Sequence, residues 1–335
     1  MAKRLVTRGF EVTWLSSRFP DSKSEESLAG VQIVRVGSDI TTFLHGTMKL
    51  AGEYRDALVL ESLSAIPYLT PLFSRHRTLS VMYHVVPYDA VVRKVGLLSP
   101  IVIGLQNIVT PILYKRQRII TISFSTQREL LARGYSNVRM VRVGADPPSV
   151  EVSIEGKENL VVFTGPLKPW KRVEHCLAAF SMLPSNWRLA VIGAPDSEAY
   201  SRQLLLRASE LQISARTSFT GRISESSKNE LYRKARVAIV TSEKEGWGLC
   251  AMEPQIYGCP VVGYDVPGIR DSVRDGESGI LVESGNVPAL TQALLSLVED
   301  AERWRRLATT ASSLYRDYTW DNVFDDFYGA LASEI

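Results

Sequence analysis

With 335 residues, 45% of them hydrophobic, the chain can bury one large core or two ordinary ones, and its length favours two. A formal charge of +3, from 39 Lys and Arg against 36 Asp and Glu, is too small to point to nucleic acid, and no nucleic-acid partner is expected. Three cysteines, Cys176, Cys250 and Cys259, give neither a disulfide framework nor metal-ligand spacing, and His45, His76, His84 and His175 are scattered. No bound metal is expected, and a reducing, cytoplasmic compartment fits best.

The chain opens on MAKRLVTRGFEVTWLSS, basic but without an apolar stretch of signal-peptide length. Short β-branched runs then recur, each followed by a helix-like stretch, the pattern of βα units feeding a mainly parallel sheet. They predict strands over 10–15, 31–36, 57–60, 79–83, 119–123 and 138–143 in the first half. The uncharged run 95–113 approaches membrane-spanning length, but Pro100, Gln106, Asn107 and Pro111 interrupt it, so it reads as a buried helix. Its flanks, Arg93, Lys94, Lys115, Arg116 and Arg118, are compatible with a peripheral contact on the inner face of a membrane.

A segment rich in Pro, Gly, Ser and charge, GADPPSVEVSIEGKEN, predicts a linker over 144–159. Beyond it, strands are expected at 160–164, 188–192, 217–220, 237–241, 260–262 and 279–282. The last stretch, 318–335, alternates aromatic and acidic residues at helical spacing and predicts a closing amphipathic helix that packs back on the first domain. The expected division is therefore 1–148, 149–317 and that helix.

The densest chemical signal is TSEKEGWGLCAMEPQIYGCPVVGYDVPGIRDSV, residues 241–273. A strand ends near Thr241, a turn Gly246-Trp247-Gly248 follows, and a helix is expected to start near Leu249. Glycines admit a ligand close to the backbone, and a helix start offers unpaired N–H groups at a positive dipole end. Glu245 precedes the turn and Glu253 follows it on the helix. Carboxylates at two heights suit the hydroxyls of one bound sugar or ribose, each oxygen accepting from a different O–H. Pro254 is tolerated in a first helical turn but not deep inside a helix, so a later helix start, with Glu253 rotated, is an alternative. Trp247 suits either a wedge against the core or a sugar contact.

Glu245 and Glu253, with Gly246-Trp247-Gly248-Leu249 between them, resemble the paired-glutamate motif of glycosyltransferase family 4, whose members are retaining enzymes of GT-B fold. The continuation GCPVVGYDVPGIRDSVRDGESGILV is similar to the same family. So is VVFTGPLKPWKRVEHCLAAF, where Lys171 falls on the lysine that grips the donor diphosphate. Gly165 opens the corresponding turn, and Pro166 stands where an arginine is usual, leaving Lys168 or Arg172 to supply that charge. FTGRISESSKNELYRKARVAIVTS, with Gly221, Arg222 and Lys228, resembles the segment flanking the nucleotide base. In the first half, ALVLESLSAIPYLTPLFSRHRTLSVMYHVV resembles the acceptor-side loops, with His84 at a strand end.

The resemblance implies an α/β GT-B chain, two Rossmann-like domains facing each other across a cleft. It implies transfer of a hexose-type sugar from a nucleoside diphosphate sugar to a glycan, a lipid-linked or another hydroxyl acceptor, without metal or cofactor. Glu245, Lys171 and His84 would be catalytic. Gly165, Lys168, Arg222, Gly246, Trp247, Gly248, Leu249 and Glu253 would bind the donor. Family members usually open with a strand and a glycine-rich loop that have no counterpart before Arg8-Gly9-Phe10-Glu11-Val12. Losing a strand from the middle of a parallel sheet would expose two neighbouring edges at a cost, so either the chain is a fragment with a misplaced start or a rearrangement of the first domain compensates. That departure, with Pro166, motivates an alternative: a catalytically impaired subunit of the same fold that binds nucleotide sugar or a partner.

Overall fold

A computed structural model describes residues 1–38, 41–73, 78–86, 88–146, 148 and 152–332. His76 and, of the expected linker, Pro147, Ser149, Val150 and Glu151 lie outside the described residues. Two compact units are present: 1–142 with 321–335, and 143–320.

The first unit carries β1 (Thr13–Ser16), β2 (Glu25–Leu28), β3 (Val31–Arg35), β4 (Val59–Ser62), β5 (Thr78–Val81), β6 (Arg118–Thr121) and β7 (Val138–Met140). They form two sheets, in the orders β1-β3-β2 and β4-β5-β6-β7. All pairings are parallel except β2 with β3. β2 escaped the sequence reading because its four residues, Glu-Glu-Ser-Leu, are all exposed and carry no apolar alternation. Among the described residues β1 pairs only with β3 and β4 only with β5, which leaves an edge on each sheet. Trp14 and Leu60, on those edges, are exposed.

The helix Trp320–Ala332 packs Val323, Phe324, Phe327 and Leu331 against Leu5, Leu79, Ile120 and Val141. Its polar face is tied by ion pairs from Arg4 to Asp321 and from Arg142 to Asp326, each at 2.9 Å. Aromatic and acidic residues alternating at helical period thus separate into a buried and a charged stripe.

The second unit holds β8 (Glu158–Thr164), β9 (Arg188–Ile192), β10 (Thr217–Gly221), β11 (Ala235–Val240), β12 (Val261–Tyr264) and β13 (Gly279–Val282). They make one parallel sheet in the order β10-β9-β8-β11-β12-β13. Leu160, Val161, Val162 and Phe163 of β8 are all buried, as a central strand covered on both faces requires. The strand order reverses between β8 and β11, and at such a point the loops beyond the two strand ends diverge to opposite faces and leave a crevice.

Candidate active site

The crevice between the ends of β8 and β11 is where the sequence-predicted residues meet. β8 stops at Thr164, Gly165 follows, and a single 3-10 turn, Pro169–Lys171, carries Lys171 back over that glycine. A Cβ added at Gly165 would lie 3.6 Å from the Lys171 Nζ, so the ammonium sits directly over the backbone of the turn. The Thr241 hydroxyl, just past β11, donates to the carbonyls of Lys171 and Arg172 at 2.6 and 2.9 Å and so fixes this turn to the neighbouring strand.

On the β11 side, Lys171 Nζ forms an ion pair with Glu245 Oε1. Both side chains are largely withdrawn from water, at 11% and 17% exposure. Burial disfavours the lysine's charge, but the Cys250 sulfur and the Glu245 carboxylate outweigh it and hold its pKa above the ordinary value. Burial pushes the Cys250 thiol itself up to about 12. Cys250 Sγ lies 3.7 Å from the same Oε1. The other oxygen, Oε2, has no protein partner among the described residues.

The turn after Glu245 ends in Gly248 at φ +85°, the N-cap of the helix Leu249–Ile256. A Cβ there would meet Ile269 Cδ1 and Ser272 Oγ, each at 2.8 Å, so both the backbone angle and the space require glycine. The helix starts at Leu249 and carries Pro254 inside it, so the later start considered from the sequence does not occur. Proline is accommodated because the helix is only eight residues long and closes straight after it, the Tyr257 N–H bonding the Pro254 carbonyl.

Trp247 resolves as a wedge. It is 4% exposed, its indole N–H donates to Met252 Sδ at 3.1 Å, and its ring stacks on Tyr318 at 6.2 Å between centroids. The sugar contact considered for its ring is thereby corrected, since its one donor is already engaged and its faces are covered.

Glu253 anchors a second charged cluster. Its Oε2 accepts from the Tyr232 hydroxyl at 2.9 Å and pairs with Lys228 Nζ at 2.8 Å, while Oε1 has no protein partner among the described residues. Burial works against the Lys228 charge, but hydrogen bonds to Glu225 and Glu253 hold its pKa above the usual value. Tyr232, fully buried, was missed by the sequence reading. Its signal was its position four residues after Lys228 on one face of the helix Glu225–Lys234.

The remaining predicted residues are placed less centrally. Lys168 reaches Asp196 at 3.5 Å and lies over the Trp170 ring. Arg172 is committed to Glu243 and Ser284, at 3.1 and 3.2 Å. Arg222, just past β10, is exposed and makes no ion pair among the described residues. Leu249 is half exposed at the helix start. His84 belongs to the first unit, three residues past β5, where it lines a small pocket with Leu63, Ser64, Gln106 and Tyr135.

A glycine at the end of β8, a buried lysine, and a glutamate before a glycine-capped helix N-terminus are thus gathered at one crevice. Residues 149–313 match the family described as glycosyl transferases group 1. The second unit is a group 1 glycosyl transferase domain. The resemblance to family 4 read from the paired glutamates agrees with it, and the GT-B fold holds along the chain. Among relatives, the chain is 34% identical over 196 residues to a D-inositol 3-phosphate glycosyltransferase of Thermomonospora curvata, covering 56% of this chain and 45% of that protein. It is 29% identical over 204 residues to the Rhodococcus opacus protein of the same name, covering 59% and 46%. These matches span just under half the length of those relatives. Among solved structures, sucrose-phosphate synthase from Thermosynechococcus elongatus superposes with a TM-score of 0.80 at 18% identity, covering all of this chain and 92% of that one. Anabaena HepE, in complex with UDP and glucose, superposes at 0.72 and 15% identity, covering 90% and 86%.

Proposed function

We propose that this glycosyl transferase domain serves an enzyme that moves a hexose-type sugar from a nucleoside diphosphate donor to a hydroxyl acceptor with retention at the anomeric carbon. The observation that carries the reading is the Lys171–Glu245 pair at the crevice between β8 and β11, beside an uncapped helix N-terminus. Departure of a nucleoside diphosphate develops negative charge on its leaving oxygen, and fixed cations and backbone N–H groups stabilise that charge without metal. Lys171 is such a cation, and Lys168, whose pairing with Asp196 at 3.5 Å is looser than that of Arg172 with Glu243 at 3.1 Å, is the substitute for the arginine replaced by Pro166.

In this reading the free oxygen of Glu245 accepts a sugar hydroxyl and that of Glu253 accepts from the ribose, each glutamate being held by its other oxygen. The Gly246–Leu249 backbone offers N–H groups, Arg222 flanks the base and His84 serves the acceptor side. The transition state is oxocarbenium-like, so leaving-group stabilisation carries much of the rate enhancement. A nucleoside diphosphate sugar is the co-substrate, and no further cofactor or metal is called for. The neighbours solved with UDP support this donor class. A glycan or lipid-linked acceptor on the cytoplasmic side is the corresponding expectation for the partner.

The test is calorimetric titration of the chain with UDP- and GDP-sugars, followed by donor hydrolysis in the presence of a chelator and NMR of the released anomer. Binding with metal-independent turnover and a retained anomer is expected. Absence of binding to either donor class would sink the reading. The proline at 166 favours a second reading, a subunit that binds the donor without turning it over. Tight binding with no hydrolysis or transfer across a panel of acceptors would select it.

A further inference from the structure

The first unit carries a helical run, Gly96–Tyr114, that is long and apolar enough to cross a membrane, yet only 11% of its most apolar window is buried. The run is continuous through a π-helical turn at Leu105–Val109. It contradicts the sequence expectation of a buried helix. Leu97, Ile101, Ile108 and Ile112 are 100%, 64%, 62% and 71% exposed and fall on one face at helical spacing. The opposite face is fixed to the protein: Ser99, Val102, Thr110 and Tyr114 are buried, the Tyr114 hydroxyl donates to Glu61, and the Gln106 side-chain amide donates to the Val86 carbonyl.

We propose that this helix lies flat in the headgroup layer of an anionic membrane, its isoleucine face inserted among the acyl chains. The charge distribution selects that occupant. Residues 90–128 contain six Arg and Lys and no Asp or Glu, against +3 for the whole chain, so the rest of the molecule sums to −3. Lys115 and Arg116, at the end of the helix, are exposed and make no ion pair among the described residues. An apolar stripe that ends in two exposed cations, Lys115 and Arg116, matches acyl chains beneath phosphate headgroups. A second copy of the chain would instead bring like charges together. Spanning is excluded by the buried face, which would have to leave Glu61 with its tyrosine partner removed.

The test is co-sedimentation of the full chain with vesicles of phosphatidylcholine alone or mixed with phosphatidylglycerol. Binding at least tenfold tighter to the anionic vesicles is expected. Changing Leu97, Ile101, Ile108 and Ile112 to Ser together should cut that binding at least tenfold. Lys115→Gln with Arg116→Gln should cut it by about fivefold per cation removed and flatten its salt dependence. Circular dichroism and the thermal midpoint establish that the variants fold, and the charge variant, which removes no apolar contact, carries the test alone if the serine variant does not. Equal binding to neutral vesicles, or folded variants that bind like the parent, would overturn the proposal. So would a lipid-free dimer that the serine variant dissociates, since the face would then belong to a second copy.

Discussion

Lys171 and Glu245 are 74 positions apart in the chain and meet in an ion pair at the reversal point of the second sheet. Neither has another charged partner of comparable burial, so each leaves the other exposed to the cost of an unpaired, part-buried charge if removed. Lys171→Ala is expected to lower kcat for donor hydrolysis by about 100- to 1,000-fold, the range for loss of one fixed group facing developing charge. Glu245→Gln keeps the volume and should remove most turnover in a protein that still folds, with a lowered thermal midpoint because Lys171 is left without its counter-charge. The two losses should be strongly non-additive in the double variant. Near-normal turnover in either single variant would falsify the role assigned to the pair.

Tyr232 holds Glu253 through its hydroxyl, which donates to the carboxylate at 2.9 Å. Tyr232→Phe removes one buried hydrogen bond and should cost about 0.5–1.5 kcal/mol of stability. If Glu253 grips the ribose, the donor KM should rise several-fold while kcat changes little. A fall in kcat at constant KM would instead assign Glu253 to the chemical step.

Gly193 sits at the end of β9 with φ +147°, and a Cβ there would come within 1.9 Å of the Gly165 carbonyl oxygen. That overlap involves backbone, so the strand ends must part. Gly193→Ala should lose about 1–3 kcal/mol or more of stability and displace the turn that carries Lys171. Urea unfolding reads the first effect and donor affinity the second. An unchanged unfolding midpoint would mean that the turn is looser than it looks.

Glu61 is 2% exposed and accepts from the Tyr68 N–H at 2.7 Å and from the Thr70 and Tyr114 hydroxyls. Burial raises its pKa above the ordinary 4.5, with these hydrogen bonds opposing the shift. A carboxyl with a raised folded pKa binds its proton more tightly in the folded state. Its contribution to stability is therefore full below about 4.5 and is lost as pH rises through the folded value. The stability difference between parent and Glu61→Gln, followed by urea unfolding across pH, should move against the parent as pH rises through that window. A difference that does not vary with pH would mean that Glu61 titrates normally.

What the sequence alone determined was local. Hydrophobic runs placed all the strands but β2, because a strand buried on both faces needs a continuous apolar stretch whatever its neighbours. Glycine and carboxylate spacing placed Glu245, Gly248 and Glu253 correctly around one helix start, because caps and turns are set by residues within a few positions of each other. Tertiary structure decided everything that depends on which strands lie side by side. The order β8 next to β11 brings Lys171 to Glu245, and the fold of Glu225–Lys234 against Leu249–Ile256 brings Tyr232 to Glu253. It also turned Trp247 into the core and left the Gly96–Tyr114 helix bare on one side. An apolar side chain reads the same in sequence whether its neighbour is protein or solvent, since burial is a property of the partner surface and not of the residue.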